Sequence, residues 1–134
     1  MIFVDTSAFV ALSVASDSFH ASAVDWKNEQ TMFKFVTSNN AVLESLGWIR
    51  YKRGKVAAVR AGEGIFGGDI SIERVTADDE REAWELFQKT EGRGVSMVDC
   101  TTVVVMKRLK IKEVFSFDQD FAKFGLTVVP RFES

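Results

Sequence analysis

The chain reads as an α/β protein of three-layer α/β/α build, a central parallel sheet of about five short strands with helices on both faces. Three features of the sequence lead there. Short apolar runs of the kind buried on both faces of a sheet recur along it, the first being Ile2-Phe3-Val4. Stretches with helical spacing separate these runs. Every crossover is long enough to hold a helix, as parallel pairing demands.

The elements follow in order. The first strand, Met1 to Val4, stops at Asp5, and Thr6 and Ser7 offer hydroxyls to cap a helix through Ala8 to Leu12. Asp17-Ser18 opens a second helix, with Ala23, Trp26 and Met32-Phe33 on or near its apolar side and His20 in a structural place at its start. Phe35-Val36-Thr37 is the second strand, and Ser38-Asn39-Asn40 caps a third helix. On that helix Val42, Leu43, Leu46 and Ile49 form an apolar stripe, and Glu44, Trp48 and Tyr51 share a neighbouring face. Gly54 is its C-cap.

A fourth helix runs from Val56 to Ile65 and ends at Gly67-Gly68, and Ile70 to Val75 is the third strand. Thr76 and Asp79 have capping-box spacing at the start of an acidic fifth helix. On it Ala83, Trp84 and Phe87 are expected inside, and Asp78, Asp79, Glu80 and Glu82 in solvent. The loop Gly92-Arg93-Gly94 leads to a helix that opens at Val95 to Asp99 and continues to Leu109. Glu113 to Ser116 is the fourth strand, a short helix passes through Phe121 and Phe124, and Thr127-Val128-Val129 is the fifth strand.

At 134 residues the chain is expected to be a single domain, 1–134, with a sizeable core of its own. Its net charge of −2 excludes a generic polyanion binder, so any nucleic-acid contact must come from a local basic patch. The lone Cys100 reads as a small buried apolar residue in a reducing compartment. No run approaches the length of a membrane span and no secretory signal opens the chain, so the expected location is the cytoplasm.

Asp5 ends the first strand on the edge of the sheet where ligands bind in α/β folds. Three further carboxylates are brought to that edge by the same topology: Glu44, one turn into its helix, Asp99, in the first turn of a later one, and Asp118, directly after the fourth strand. Each also has a plain structural role open to it: a solvated helix residue for Glu44, a capping-box partner of Ser96 for Asp99, an N-cap for Asp118. Together they would repel one another unless a cation neutralised them, which implies a divalent metal. With hard oxygen ligands, no histidine pair and no usable cysteine, Mg²⁺ or Mn²⁺ is expected. Such a site suits phosphodiester hydrolysis with water as the attacking group.

Val4-Asp5-Thr6-Ser7, Glu44, Val98-Asp99 and Phe117-Asp118-Gln119-Asp120-Phe121 resemble, in order and spacing, the PIN-domain nucleases, and among them the VapC-type toxins of toxin–antitoxin pairs. The resemblance spans nearly the whole chain. It implies that Asp5, Glu44, Asp99 and Asp118 hold the metal, that Thr6 and Ser116 support the site, Ser116 standing where a threonine is frequent, and that Asp120 matches the second acid of the last motif. As a plain alternative Asp120 is a helix-start aspartate. Cys100 departs from the alanine usual after the third acid.

The same resemblance implies an RNA substrate, a homodimer, and an antitoxin whose tail covers the site. Trp48, Tyr51, Ile65 and Phe66 are candidates for a dimer or antitoxin surface, with core packing as the alternative. Arg50, Lys52, Arg53, Lys55 and Arg93 are candidates for gripping phosphates, and the run among them also fits a solvated helix end. The rival from another class is a non-catalytic RNA-binding or protein-interaction module that keeps the fold. Metal-dependent cleavage separates the two.

Overall fold

The computed structural model describes residues 1–131. Along the chain run β1 (Ile2–Val4), α1 (Thr6–Ser13), α2 (His20–Glu29), β2 (Phe35–Ser38), α3 (Asn39–Arg53), α4 (Lys55–Phe66), β3 (Ser71–Glu73), α5 (Ala77–Lys89), α6 (Met97–Leu109), β4 (Glu113–Phe115), a 3₁₀ helix (Gln119–Phe124) and β5 (Thr127–Val129). The strands form one sheet in the order β3-β2-β1-β4-β5, and every pair is parallel. β1 is central, with Ile2 opposite both Phe35 and Glu113. After β3 the chain crosses to the other side of β1, so the order of strands reverses between β1 and β4. A crevice forms at the carboxyl ends of strands flanking such a reversal.

Alternation along β1 divides the core. Ile2 and Val4 join Phe9, Ala23, Val42, Ile65, Phe115 and Val129 on one face. Phe3 joins Val36, Val105, Met106, Val114, Phe121 and Val128 on the other. The first face is covered by α1 and α2 with parts of α3 and α4, the second by α6. α5 packs on α6 through Ala83, Cys100 and Val104. Helices on both faces of a parallel sheet match the expected class.

Several local expectations need correction. Asp5 itself, and not Thr6 or Ser7, is the N-cap of α1. α2 begins at His20, and Asp17 instead holds the turn before it by accepting from the Phe19 backbone N–H at 2.9 Å. Met32 and Phe33, beyond the end of α2, are exposed. Leu43 is exposed because the inward face of α3 is Ala41, Val42, Ser45 and Ile49. Ser45 is tolerated there because its hydroxyl donates to the Ala41 carbonyl at 2.6 Å. Ile65 is in the core, so of the pair only Phe66 is at the surface.

On α5, Trp84 and Phe87 are exposed and stack on each other, since the helix is covered along one side by α6 alone. Asp79 is buried. The capping box with Thr76 turns it inward, and Arg108 on α6 meets both of its oxygens while also pairing with Glu73. No helix among the described residues is long and apolar enough to cross a membrane.

Candidate active site

Asp5 sits where β1 ends beside β4, its backbone N–H bound to the Phe115 carbonyl at 3.0 Å. Its side chain is buried and receives hydroxyls from both sides of the strand reversal. Ser116 Oγ donates to Asp5 Oδ2 at 2.8 Å, and Ser7 Oγ lies 3.1 Å from the same oxygen and 3.0 Å from Ser116 Oγ. Each hydroxyl also accepts a backbone N–H, Ser7 from Phe117 and Ser116 from Asp118. Asp5 Oδ2 is thus fully engaged in holding the two loops together, while Oδ1 is buried without a hydrogen-bond partner. A buried carboxylate oxygen left in that condition is costly unless a ligand satisfies it.

Asp5 opens onto a pocket of about 480 Å³ whose lining includes Glu44 from α3, Asp99 from α6 and Asp118 from the loop after β4. Asp99 is fixed by a capping box, its Oδ2 accepting from Ser96 N–H at 3.0 Å and its own N–H donating to Ser96 Oγ at 3.0 Å. Asp118 caps the 3₁₀ helix by accepting from Asp120 N–H at 2.9 Å. The structural roles available to Asp99 and Asp118 are therefore filled, and the same capping bonds hold both at the pocket.

The charges of these groups act on one another. Burial pushes the Asp5 carboxyl up to about 6, opposed by the Ser116 hydrogen bond and reinforced by the charge of Asp99. Burial also raises Asp99, helped by the charges of Asp118 and Glu44. Among the described residues none of the four carboxylates is ion-paired with lysine or arginine, and no lysine or arginine lines the pocket. The four do not form a closed ligand cluster: no group of three or more Asp, Glu, His or Cys side chains among the described residues is arranged to hold an ion as it stands.

The PIN domain family model matches residues 2–126. The chain belongs to the PIN domain family. It is 35% identical over 130 residues, 96% of this chain and 98% of the relative, to the 23S rRNA-specific endonuclease VapC20 of Mycobacterium tuberculosis. The crystal structure of M. tuberculosis VapC20, a sarcin–ricin loop cleaving toxin, superposes with a TM-score of 0.88 at 33% identity, covering 95% of this chain and 97% of that one. Two more distant structures share the fold. FitAB bound to a DNA fragment gives a TM-score of 0.69 at 18% identity, covering 100% and 99%. VapBC2 of Rickettsia felis bound to a promoter fragment gives 0.69 at 14%, covering 96% and 97%.

In this PIN domain the other sequence-derived candidates are distributed unevenly. Thr6 lines the pocket, but its hydroxyl points to the Ala41 carbonyl at 3.5 Å. Asp120 is outside the pocket lining, paired with Lys123 at 3.0 Å and packed so close to Gly94 that a Cβ there would lie 2.5 Å from its Oδ2. Arg50, Lys52, Arg53, Lys55 and Arg93 are exposed and outside the pocket lining. His20 is structural, its Nδ1 2.7 Å from the Ala11 carbonyl, and Cys100 is buried.

Sequence reasoning missed Ser7 as a partner of Asp5, and missed Phe19 and Phe117 as pocket residues. A hydroxyl two positions after a strand-end aspartate was a usable signal for Ser7. Trp48, one turn beyond Glu44, also lines the pocket, as their shared helix face allows.

Proposed function

We propose that this PIN domain is a divalent-metal-dependent endoribonuclease, the toxin of a toxin–antitoxin pair, and that its target is a loop of 23S ribosomal RNA. One observation carries the chemistry: Asp5, whose buried Oδ1 has no hydrogen-bond partner, lines a pocket shared with Glu44, Asp99 and Asp118, which no basic side chain neutralises. The donor set is all oxygen, so Asp5, Glu44, Asp99 and Asp118 would hold Mg²⁺ or Mn²⁺. When bound, such an ion supplies a water-derived nucleophile at neutral pH and stabilises charge on the leaving oxygen.

The chain's own groups fit that division of labour. Ser7 and Ser116 commit their hydroxyls to Asp5 and to each other, His20 is tied to Ala11, and burial raises the Cys100 thiol. None of these is a nucleophile paired with a base, which leaves water as the attacking group. Ser116 and Ser7 keep Asp5 in place, and Ser96 keeps Asp99 in place. Their task is to hold oxygens in a fixed arrangement, the main protein contribution to in-line displacement.

The RNA target rests on the likeness to VapC20, which extends over nearly both whole chains. The antitoxin rests on the same likeness. Leu43, Tyr51, Val56, Val59 and Phe66 leave α3 and α4 with exposed apolar side chains, which suits a homodimer or an antitoxin contact. Ribosomal RNA as target implies action in the cytoplasm.

The deciding experiment is cleavage of intact ribosomes by the purified chain in Mg²⁺ or Mn²⁺, followed by sequencing of RNA 5′ ends. A discrete new end in 23S rRNA, absent with EDTA and absent for Asp5→Ala and Asp99→Asn, is the expected result. Metal-independent binding without a cut would favour the non-catalytic module instead. A DNA-binding antitoxin encoded beside the gene, able to suppress the cut, is expected as well.

A further inference from the structure

Asp120 has no place in the pocket lining, yet it stands between two segments that each carry one of the pocket's acids. Its backbone N–H donates to Asp118 Oδ1 at 2.9 Å, so it is part of the cap that holds Asp118. Its side chain reaches the other segment. Oδ1 pairs with Lys123 at 3.0 Å, and Oδ2 fills the space beside Gly94 so closely that a Cβ added there would lie 2.5 Å away. Gly94 lacks the positive φ that Gly92 has, so close approach, and not backbone shape, is what asks for glycine at this position.

Gly94 comes two residues before Ser96, whose N–H and Oγ form the capping box with Asp99. The loop leading to that cap has few other ties. Glu91, Gly92, Arg93 and Gly94 are exposed, and no hydrogen bond holds any of them among the described residues. The negative charges of Asp99 and Asp118 meanwhile act on each other and push their two segments apart. We infer that Asp120 is a positioning residue, which clamps the loop before α6 to the 3₁₀ helix and so sets the spacing between the carboxylates of Asp99 and Asp118. Its consequence for activity rests on the ribonuclease reading, because fixed spacing matters only if the two acids serve one reaction.

The test compares wild type with Asp120→Ala, Asp120→Asn, Gly94→Ala and the double variant of Gly94→Ala with Asp120→Ala. Two quantities are read: kcat/KM for cleavage of ribosomes in Mg²⁺ or Mn²⁺, and amide hydrogen exchange by NMR in EDTA. Asp120→Ala removes the carboxylate and Gly94→Ala displaces it, and each is expected to lower kcat/KM about tenfold. Both break the same contact, so the double variant should be no worse than the poorer single one, where independent losses would multiply to about a hundredfold. Asp120→Asn keeps the shape that meets Gly94 and should recover most of the activity. In EDTA the Ser96 and Asp99 amides, donors of the capping box, should exchange about tenfold faster in Asp120→Ala and Gly94→Ala, with the amides of β1 unchanged. Asp120→Asn should exchange as wild type does.

Equal losses in Asp120→Asn and Asp120→Ala would overturn the clamp, since the charge and not the contact would then be at work, as for a metal ligand. So would losses that multiply in the double variant, or unchanged exchange at Ser96 and Asp99. If wild type cuts no ribosomal RNA, the ribonuclease reading fails by itself, and the exchange rates in EDTA still decide whether Asp120 holds the loop.

Discussion

The Ser116 hydroxyl donates to Asp5 Oδ2 at 2.8 Å across the point where β1 and β4 part, joining two segments distant in the chain. Ser7 closes the triangle from α1. Two hydroxyls therefore orient one carboxylate and leave its second oxygen buried without a hydrogen-bond partner. Ser116→Ala removes that donor and the acceptor of the Asp118 N–H together. On the proposed reading of Asp5 as a metal ligand, activity is expected to fall about 10–100-fold, as for loss of groups that orient metal ligands. Ser116→Thr should recover most of it. Metal-dependence curves alongside kcat/KM check that the loss comes from positioning.

Asp5 also sets a pH dependence. Burial raises its folded pKa from 3.8 to about 6, so ionising it weakens the folded state. The associated stability is fully present below 3.8 and is lost as pH rises through about 6. Asp5→Asn removes the ionisation and is expected to stabilise the metal-free chain at pH 7 by about 2–3 kcal/mol. Denaturant melts in EDTA at pH 4 and pH 7 measure it. The gain should be small at the lower pH, and an equal gain at both would contradict the assignment.

Asp79 has the opposite sign. Its hydrogen bonds with Arg108 hold its carboxyl below the usual range, so this stability is present above the unfolded value and is lost as pH falls through the folded one. Arg108→Ala strands a buried carboxylate and uncouples α6 from the capping box of α5. Because Arg108 is partly exposed, the expected cost is about 2 kcal/mol, below the roughly 3–5 kcal/mol of a broken, fully buried pair. Thermal melts at pH 7 check it, and the deficit relative to wild type should shrink in acid.

The outer face of α5 offers a contrast. Trp84→Gln is expected to change stability by no more than about 0.5 kcal/mol, since the ring packs on no core. Ala83→Leu, one residue earlier and fully buried against α6, should cost about 1–3 kcal/mol by overpacking. Denaturant titration of the two variants separates the faces of the helix.

These contrasts mark what the sequence could and could not disclose. The order of strands and helices was legible because each strand is a short apolar run bounded by a cap, and Asp5, Glu44, Asp99 and Asp118 stand at fixed offsets from those boundaries. Which way a helix turns was harder to read. Leu43 and Trp84 are apolar yet point outward, while Ser45 and Asp79 are polar yet buried, each satisfied by a partner that only the folded chain supplies. Asp120 shares the motif of Asp118 but is outside the pocket lining and pairs with Lys123. The link between Ser7 and Ser116 spans most of the chain, so no local pattern could announce it.

The placement of Asp118 beyond β4 bears on when the pocket is completed during synthesis of the chain. Of the two strands that pair with β1, β4 comes later in the chain, and without it Asp5 lacks Ser116 and the pocket lacks one of its walls. A nascent chain still threaded through its ribosome holds Asp5 and Glu44 with nothing to complete them. The pocket is thus complete only once the segment that follows β4 has been made.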